Sequence, residues 1–585
     1  ATAHVHVYEK PVVSLELDTE IPPLPTDEDK VILFEGHTEG FYYQKGDIAT
    51  PFKLNVTFAD WVESKNPKIS YQWFRHSYVE TTYEPFFTPP TDIVYGGREW
   101  DTVSVQVHFL GRQYVVTLSD TGLYVYVDRA GNSYPNTVDF AGDGTKLSPW
   151  ELATQKDLET LRSYVSEGYD FADTYFCMVD NISLDASWVS IGEGDDNSKG
   201  VEWCPFSGTL NGGGHTLTYA EDTDQPLFKY VREATVQDLV IKAPHLKNYG
   251  LVSNYAVDYG EEGDYSLGTG GSYQAGTPDT IDIINVTIKE DSRIDKAGFI
   301  GGFASGANIV NIRDCTVEKN VTIGTSEETN VGSFGGLFNG TISNCVSYAD
   351  VYGIGYVGGI VGQKGQSMGS YDITNCAFLG TVTATGNYVG GIAGGGYYAP
   401  SAPNTPGAII QNCYVSGTII GADCVGGIFG GEPSQLQAWN PSIIQDNAFY
   451  GTVKATGENA SCGGIIGSMA SLNQNNIIEN NYYAEGCGAD TGIGNVLYLD
   501  TSYENPTRPE GCTVFDSSTG NLPEPWGISQ LDKNRTDDPL GTDADKLAAM
   551  KTADEFKDGT VVALLNASDS SWKNWTQGTN GPVQS

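Results

Sequence analysis

The residues best suited to chemistry are carboxylates in segments that interrupt a regular sequence repeat. Asp258 and Asp264 lie in the interruption at 254–280, and Glu432 lies in the interruption at 432–442. Hydrolysis of a glycosidic bond needs two carboxyl groups, about 5–5.5 Å apart for retention of configuration or about 6.5–9.5 Å apart for inversion. These three residues are therefore the candidates for catalysis, although so acidic a chain also produces carboxylate pairs by chance.

Aromatic side chains occur in the same interruptions and in a third one at 396–408. The candidates for ligand binding are Tyr259, Tyr265, Tyr397, Tyr398 and Trp439. Aromatic rings beside carboxylates form rims that bind sugars, because rings stack on sugar faces and polar groups bond to hydroxyls. The alternative, that these rings only pack their own loops, stays open.

Other catalytic or metal-binding motifs are weak. No HExxH sequence occurs, and the one GxSxG match, at 365–369, lacks the helix that follows a nucleophile elbow. A calcium ion is an alternative at 142–145 or around Glu193, Asp195 and Asp196, but neither segment has the ligand order of an EF-hand. An Asp-Gly turn and a solvated acidic loop explain these segments better than a calcium ion does, so no cofactor is predicted.

Composition and charge narrow the function classes. The chain has 585 residues and a formal charge of −42, which disfavours nucleic acid and anionic membrane surfaces as partners. No apolar run is long enough to span a membrane. A content of 71 Gly and 34 Tyr with only 4 Met indicates an all-β chain rich in turns. The first residue is Ala1, which suits a mature or trimmed chain.

A short polar residue recurs at intervals between positions 238 and 480. The recurring residues are Asp238, Asn285, Asp314, Asn344, Asn375, Asn412, Asp446 and Asn480. The residues that follow them are Leu239, Val286, Cys315, Cys345, Cys376, Cys413, Asn447 and Asn481. Asn and Asp bond to the backbone of tight turns, and small apolar residues fill narrow cores. This pattern predicts stacked coils with polar corners and a column of buried thiols.

A glycine pair recurs in the same region, at 335–338, 358–361, 390–393, 426–429 and 463–466. Glycine pairs supply positive φ and allow close approach of backbones, so they are expected at a second corner of each coil. The repeat predicts a right-handed parallel β-helix over residues 146–490. The interruptions at 254–280, 396–408 and 432–442 each follow a glycine-rich block and precede a polar corner, so they should leave the coils at one edge.

The remaining chain divides into three parts. Residues 1–28 are interpreted as a linker or a fragment of a preceding module, and residues 29–138 alternate like a β-sandwich, with Trp73 in a central strand. The run at 120–126 matches a tyrosine corner of immunoglobulin-like domains. Residues 491–585 no longer repeat and are expected to pack on the solenoid or to cap it.

An amphipathic helix is predicted between the sandwich and the solenoid. Ser148 to Glu151 reads as a capping box with proline at the first helical position. Leu152, Leu158, Leu161 and Val165 follow at helical spacing. Such a helix would cover the open end of the first coil.

Four further cysteines lie outside the predicted thiol column. Disulfides between Cys177 and Cys204 and between Cys487 and Cys512 are alternatives that the sequence alone does not decide. No cysteine or histidine cluster has the spacing of a zinc site.

The blocks YVGGIVG at 356–362 and YVGGIAG at 388–394 resemble the GLUG-type repeats of secreted and wall-attached proteins of Gram-positive bacteria. The capping helix, the segments at 206–209 and 214–216, and the C-terminal segments at 554–556, 564–566 and 575–577 share the likeness. It covers roughly 146–490 and 550–583. It implies a β-helix presented by a bacterial Ig-like domain, and it is less specific for activity, since such repeats occur in adhesins and as non-catalytic parts of immunoglobulin A peptidases.

Three functions remain open at this point. The first is a secreted or wall-associated, adhesin-like monomer whose edge loops recognise a glycan or a host surface protein. The second is a carbohydrate-active enzyme, a glycoside hydrolase more readily than a lyase, with its carboxylates in a groove under the same loops. The third is a spacer within a longer wall protein. A deep cleft with paired carboxylates would favour the enzyme, and a shallow aromatic platform would favour the binding protein.

Overall fold

The computed structural model describes most of the chain. The described residues are 9–24, 38–44, 47–75, 78–89, 91, 95–128, 134–135, 137–192, 205–255, 280–301, 309–364, 371–396, 408–431, 442–458, 460–470, 477–497, 548–567, 575–579 and 581–584. No helix among them is long and apolar enough to cross a membrane.

The N-terminal part is a sandwich of two sheets with an aromatic core. The first sheet contains β1 (Val12–Leu17), β3 (Phe52–Phe58) and β6 (Phe86–Phe87). The second contains β2 (Phe41–Gln44), β4 (Lys68–Arg75), β5 (Tyr78–Thr82), β7 (Tyr95–Phe109) and β8 (Arg112–Asp128). Helix α1 (Asp60–Lys65) follows β3. Trp73 is fully buried on β4, as predicted, and packs against Phe52 and Phe87.

Two sequence predictions for this part differ from the structure. Residues 12–17 were assigned to a linker, but they pair antiparallel with β3 because Val12 and its alternating neighbours complete the sandwich core. The run at 120–126 is not a corner between strands. Asp120 and Gly122 have positive φ within β8, and the β7–β8 register shifts there, so the run forms a bulge in a long hairpin.

The helix begins six residues after its predicted start, at Gln155 and not at Pro149. Trp150–Leu152 forms β9, a strand of the first coil, instead of the first helical turn. Helix α2 (Gln155–Ser166) follows, with Thr154 as N-cap in a capping box with Asp157. Leu158, Leu161 and Val165 are buried in the solenoid core, so the predicted capping face is confirmed.

The coils stack as long parallel sheets. Sheet A contains β9, β10 (Tyr175–Met178), β12 (Thr209–Asn211), β15 (Thr235–Gln237), β18 (Thr280–Ile284), β21 (Ile309–Arg313), β25 (Gly340–Ser343), β30 (Tyr371–Thr374), β35 (Ile409–Gln411), β40 (Ile443–Gln445) and β45 (Ile477–Glu479). Sheet B contains β11 (Ile182–Ser183), β13 (Thr216–Thr218), β16 (Val240–Lys242), β19 (Thr287–Ile288), β22 (Thr316–Val317), β26 (Val346–Ser347), β31 (Ala377–Phe378), β36 (Tyr414–Val415), β41 (Ala448–Phe449), β46 (Asn481–Ala484) and β48 (Ala548–Lys551).

The other faces of the coils are shorter sheets. Sheet C contains β20 (Arg293–Ile294), β23 (Thr322–Ile323), β27 (Asp350–Gly353), β32 (Thr381–Ala384), β37 (Thr418–Gly421) and β42 (Thr452–Ala455). Sheet D contains β28 (Val357–Gly358), β33 (Asn387–Gly390), β38 (Asp423–Gly426) and β43 (Cys462–Gly463). Sheet E contains β14 (Phe228–Val231), β17 (Val252–Tyr255), β24 (Gly335–Phe338), β29 (Val361–Lys364), β34 (Ala393–Gly395), β39 (Phe429–Gly431), β44 (Ile466–Ala470) and β47 (Ile493–Leu497), its two segments bridged through Ile300. Each strand pairs with the equivalent strand one coil away, so the parallel β-helix is confirmed.

In each coil, one residue with a left-handed backbone forms the polar corner between sheet A and sheet B. We call the eight residues at this corner the turn column. Its members are Asp238, Asn285, Asp314, Asn344, Asn375, Asn412, Asp446 and Asn480, and their φ angles lie between 51° and 59°. Asn and Asp adopt this left-handed conformation more readily than other residues with a side chain. The predicted polar corner is therefore confirmed, and the backbone conformation explains its composition.

The residue after each corner points into the core. Cys315, Cys345, Cys376 and Cys413 are buried and stacked, which confirms the predicted thiol column. Its amide groups bond along the axis, since Cys315 donates from its backbone N–H to Cys345 Sγ at 3.5 Å. The column continues as Asn447 and Asn481, whose side chains are joined by a 3.0 Å hydrogen bond.

The glycine-rich corner differs in two ways from the prediction. Gly359, Gly391, Gly427 and Gly464 do not have positive φ, which occurs instead at Tyr356, Tyr388 and Cys424. The block at 335–338 is also out of register, because Gly335 pairs with Val361 and not with Gly358. Close approach is the reason for glycine here, as a Cβ on Gly359 would lie 2.2 Å from the carbonyl oxygen of Gly391.

The correct register places Ser333 where the other coils have glycine. Ser333 is fully buried, and its hydroxyl bonds to the hydroxyl of Ser347 at 2.6 Å. Ser347 occupies the position that Phe378, Val415, Phe449 and Tyr483 hold in later coils, each beside a glycine. A larger residue at one position is thus matched by a smaller one at the other. The same register adds Gly250 and Gly298 to this glycine column.

Replacement of Gly391 by alanine should destabilise the solenoid by about 1–3 kcal/mol, because the new methyl group would overpack the coil interface. Its Cβ would lie 2.2 Å from the Gly427 oxygen and 2.8 Å from the Val415 side chain. Gly355→Ala is the matched control, since its Cβ would meet nothing closer than 3.1 Å. Calorimetric unfolding of both variants measures the difference, and equal melting temperatures would contradict the packing argument.

The C-terminal segment packs on the outside of sheet B. Helices α3 (Ala553–Lys557) and α4 (Thr560–Ala567) and the hairpin of β49 (Trp575–Gly578) and β50 (Gly581–Gln584) follow β48, and we call residues 548–584 the C-terminal module. Phe556 and Trp575 cluster with the outward-facing Tyr414, Ala448 and Tyr482. The sequence predicts that the coils end at residue 490, but β47 and β48 still pair with coil strands. The rest of the described C-terminal part packs along the side of the solenoid.

One carboxylate lies unsatisfied next to this contact. Asp446 is 1% exposed, and neither of its oxygens has a hydrogen-bond partner. Its charge, together with the larger effect of burial, raises the pKa of Tyr482 in the adjoining apolar cluster. In the neighbouring coil Trp575 Nε1 donates to Asn412 Oδ1 at 3.3 Å. A buried carboxylate without a partner reduces stability.

Asp446→Asn should therefore stabilise the protein by about 1–3 kcal/mol, because it removes a buried charge and keeps a side chain that suits positive φ. Elsewhere in the turn column an amide donates to the preceding coil, as Asn285 Nδ2 does to Asp238 Oδ1 at 2.7 Å. Asp314→Asn, at an exposed position of the same column, should change stability by less than about 0.5 kcal/mol. Chemical denaturation compares the two, and a destabilised Asp446→Asn would show that the carboxylate has a partner in solution.

Candidate functional site

The three interruptions at 254–280, 396–408 and 432–442 leave the solenoid at one edge. The strand before each lies in sheet E and the strand after it lies in sheet A, as with β17 and β18, β34 and β35, or β39 and β40. The segments 302–308, 365–370 and 471–476 connect the same two sheets. We call this side the insertion edge. The prediction that the interruptions share an edge is confirmed by the strands that flank them.

The predicted site residues themselves lie outside the described residues. These are the catalytic candidates Asp258, Asp264 and Glu432 and the ligand-binding candidates Tyr259, Tyr265, Tyr397, Tyr398 and Trp439. The GxSxG match at 365–369, Glu193, Asp195, Asp196, Cys204 and Cys512 also lie outside them. The roles and disulfides predicted for them stay predictions.

The outer face of sheet A adjoins the insertion edge and is polar over its middle coils. Strand register aligns Thr235, Asp282, Asn311, Thr341 and Asp372 in one outward line, which we call the strand column. Asn311 Nδ2 donates to Asp282 Oδ1 at 3.0 Å, and Thr341 Oγ1 donates to Asn311 Oδ1 at 2.7 Å. These bonds hold the side chains at the spacing of the coils.

The turn column forms a second polar line parallel to the strand column. Asn344 Nδ2 donates to Asp314 Oδ1 at 3.2 Å, and Asn375 Nδ2 donates to Asn344 Oδ1 at 3.3 Å. At its N-terminal end is an open depression of about 390 Å³, lined by Asn211, Gly213, Gly214, Asp238, Val240, Asn285 and Thr287. This depression is small and polar, and it has room for one or two sugar rings.

The strand column becomes apolar in the last coils. Ile409, Ile443 and Ile477 continue the line of Asp372, and Ile477 is 42% exposed. Each isoleucine lies within two residues of a segment outside the described residues. The polar part of the strand column therefore ends at the coil of β30.

A cluster of charged residues joins three coils on another side of the solenoid. His245 Nδ1 lies 2.6 Å from Asp222 Oδ1, and His245 Nε2 lies 3.0 Å from Asp295 Oδ2. Lys247 and Arg293 make further ion pairs with these carboxylates at 3.3 and 3.1 Å. Hydrogen bonds from His245 and then Lys247 lower the pKa of Asp222. Since both ring nitrogens already face carboxylates, the cluster links coils and offers no nitrogen to a metal.

The described residues form no metal-binding cluster, and the carboxyl pKa values that are shifted among them are all lowered. No group of three or more His, Cys, Asp or Glu that could hold a metal occurs in that part of the chain. Asp143 caps its own turn by accepting from Thr145 Oγ1 at 2.7 Å, so the Asp-Gly turn explains this segment. The shifted carboxyl pKa values there, of Asp143, Asp185, Asp222, Glu555 and Asp558, are all lowered by accepted hydrogen bonds.

The thiol column has no nucleophilic character. Burial raises the pKa of Cys345 and Cys376 well above the ordinary thiol value. Burial also raises the pKa of Cys462, to about 11. A thiol must ionise to act as a nucleophile, so these side chains serve as apolar core residues at neutral pH.

Alkylation should distinguish the buried thiols of the column from the half-exposed thiol of Cys177. With iodoacetamide at pH 8, Cys177 should be labelled in the folded protein, whereas Cys345 and Cys376 should be labelled only in denaturant, because the thiolate is the reactive form. Peptide mass spectrometry reads out each site. Labelling of Cys376 in the folded protein at the rate of Cys177 would contradict the burial of the column.

Comparison with known proteins finds structural likeness at low sequence identity. No family model matches the chain, and no curated protein matches it. A Bacteroides ovatus structure provisionally named an immunoglobulin A1 protease overlaps 78% of this chain and 98% of its own length, at 17% identity and a TM-score of 0.33. An IgA1 protease structure overlaps 66% of this chain and 29% of its own length, at 12% identity and a TM-score of 0.32. Both scores lie below 0.5, so the β-helix fold rests on the strand pairings of this chain.

The strand column is a feature that sequence reasoning missed. Its residues differ in type from coil to coil and stand three residues before the turn column, where Asp282, Asn311, Thr341 and Asp372 attract no notice. The signal was a polar residue at a constant distance before each corner. Only the strand register shows that these residues form one line.

Proposed function

We propose that this chain is a secreted or cell-wall-associated bacterial binding protein, adhesin-like, that recognises a glycan or a host surface protein at the insertion edge. The β-helix is the scaffold, and the N-terminal sandwich acts as an Ig-like stalk. The resemblance of its glycine-rich blocks to GLUG-type repeats supports this class and this location.

The observation that carries the proposal is the grouping of the three interruptions, at 254–280, 396–408 and 432–442, at a single edge. A loop inserted into a solenoid costs little where it projects outward, and binding residues collect on such loops over a rigid scaffold. The three interruptions rich in aromatic or acidic residues enter the solenoid at β18, β35 and β40, all strands of one sheet. The outer face of that sheet supplies the hydrogen-bonding groups that recognition of hydroxyls requires.

The described surface favours a binding protein over the enzyme alternative. The depression beside Asp238 is shallow and open, without the closed cleft that expels water from a hydrolytic site. None of the described carboxylates with a shifted pKa has it raised, which a general acid at neutral pH needs.

A glycan array read together with an assay for released reducing sugar tests the proposal on the full chain. We expect binding without release. Trp439→Ala and Tyr398→Ala should each weaken binding about tenfold or more, as loss of an aromatic anchor does. Tyr352→Ala is the matched control, because Tyr352 is 36% exposed on sheet C, away from the insertion edge.

The same experiment distinguishes the alternatives. Release of reducing sugar that disappears in Asp264→Asn or Glu432→Gln would overturn the binding-only proposal in favour of a glycoside hydrolase. Absence of binding to any glycan, with binding to immobilised host proteins, would assign the edge to protein recognition. Absence of both would leave the spacer role and overturn the proposal.

A further inference from the structure

The two polar columns on and beside sheet A repeat at one fixed interval. Neighbouring strands are about 4.7–4.9 Å apart, so the five residues of the strand column from Thr235 to Asp372 span about 19 Å along the axis. The turn column runs parallel to it on the same coils. Between the columns lie Gln237, Ile284, Arg313, Ser343 and Thr374, one in each coil, so four of these five side chains can also form hydrogen bonds. The surface is therefore a flat strip with a hydrogen-bonding group at every coil.

The internal bonds of the strip leave capacity for a ligand. A primary amide has two N–H donors and two acceptor lone pairs. Asn311 gives one N–H to Asp282 and accepts one bond from Thr341, so one donor and one acceptor remain. Asn344 likewise gives one N–H to Asp314 and accepts one bond from Asn375. The bonds within the columns hold these side chains in place before a ligand arrives, which lowers the entropy cost of binding.

The charge of the strip selects the class of ligand. Asp238, Asp282 and Asp314 give it an excess of carboxylates, and the nearby cation, Arg313, lies 3.6 Å from Asp314. Carboxylates accept hydrogen bonds from hydroxyl groups and repel anions. A polymer that fits must therefore present many hydroxyls, carry no negative charge and repeat at an interval near that of the coils.

The line of the strand column ends in an apolar residue on one side and continues through Thr209 to Tyr175 on the other. Ile409 ends the strand column on one side, and the C-terminal module reaches the turn column at Asn412 through the Trp575 hydrogen bond. The depression lined by Asn211, Asp238 and Asn285 lies toward the other end. The exposed length thus corresponds to a chain of a few sugars lying along the solenoid.

From these observations we propose that the outer face of sheet A, with the turn column, binds an extended, neutral, unbranched polysaccharide that lies parallel to the solenoid axis. This inference rests on the proposed function as a glycan-binding protein and assigns the ligand class and the surface. The strip of polar side chains on the described strands forms the floor of the site.

The test is calorimetric titration of the full chain with cello-, xylo- and manno-oligosaccharides of two to six sugars. Affinity for at least one series should rise with length until the oligomer covers the column, and polygalacturonate should not bind. Asn311→Val with Thr341→Val should weaken binding of the hexamer about tenfold, since it removes two of the hydrogen-bonding groups of the floor.

The matched control is Thr381→Val with Thr418→Val. These two threonines are half-exposed on adjacent strands of sheet C and pair with each other, so the double variant also replaces two neighbouring polar side chains by valine, on another face. It should leave affinity unchanged. The control should keep the melting temperature of the unaltered chain, because valine favours β-strands as threonine does. The floor variant also loses the bonds of Asn311 to Asp282 and Thr341, so its affinity is measured at a temperature well below its own melting temperature.

The outcomes separate this inference from the proposed function. If Trp439→Ala abolishes binding while the floor variant binds normally, the insertion edge alone is the site and the inference is overturned, with the proposed function intact. Binding that does not depend on oligomer length, or that favours polygalacturonate, also overturns it. If the chain binds no glycan and no host protein, the proposed function fails, and the inference fails with it.

Discussion

The single left-handed residue between sheets A and B is the constraint on which the solenoid depends. Each coil must turn there within one residue so that the strands on either side stay in register with the coils above and below. Asn and Asp tolerate that conformation, and their side chains also bond to the same residue of the adjacent coil, as Asn285 does to Asp238. The corner thus sets both the path of the backbone and the alignment of the stack.

Close packing inside the coils follows from that alignment. Because equivalent residues stack directly, any change in side-chain volume is met by the same position one coil away, and glycine is required where backbones touch. The exchange of a glycine and an aromatic ring for Ser333 and Ser347 shows that the volume is shared between two positions. The polar residues that end the thiol column, Asn447 and Asn481, are accommodated because they bond to each other.

The same geometry separates scaffold from function. The A–B corner and the glycine-rich corner are too tightly packed to accept extra residues, whereas the turn from sheet E to sheet A accepts insertions in coil after coil. Variation therefore accumulates next to the outer face of sheet A. The other outer face with a distinct role, that of sheet B, is covered in its last coils by the C-terminal module around Trp575.

The sequence alone determined the features that repeat. The turn column, the thiol column, the capping face of α2 and the common edge of the insertions could all be read from residues at constant intervals, because stacked coils impose one local environment on each position. Trp73 could be placed in a sandwich core for the analogous reason, that strands alternate.

Only the tertiary structure decided features that depend on contacts between distant segments. The block at 335–338 looks like the other glycine pairs, but pairing with β29 moves it by three residues, and the helix start moved because Trp150 pairs with β10. The strand column was invisible for the same reason, since Asp282, Asn311 and Thr341 become one surface only when strands distant in sequence are brought about 4.8 Å apart. Local sequence pattern specifies the conformation of each coil, and register between coils specifies which residues share a surface.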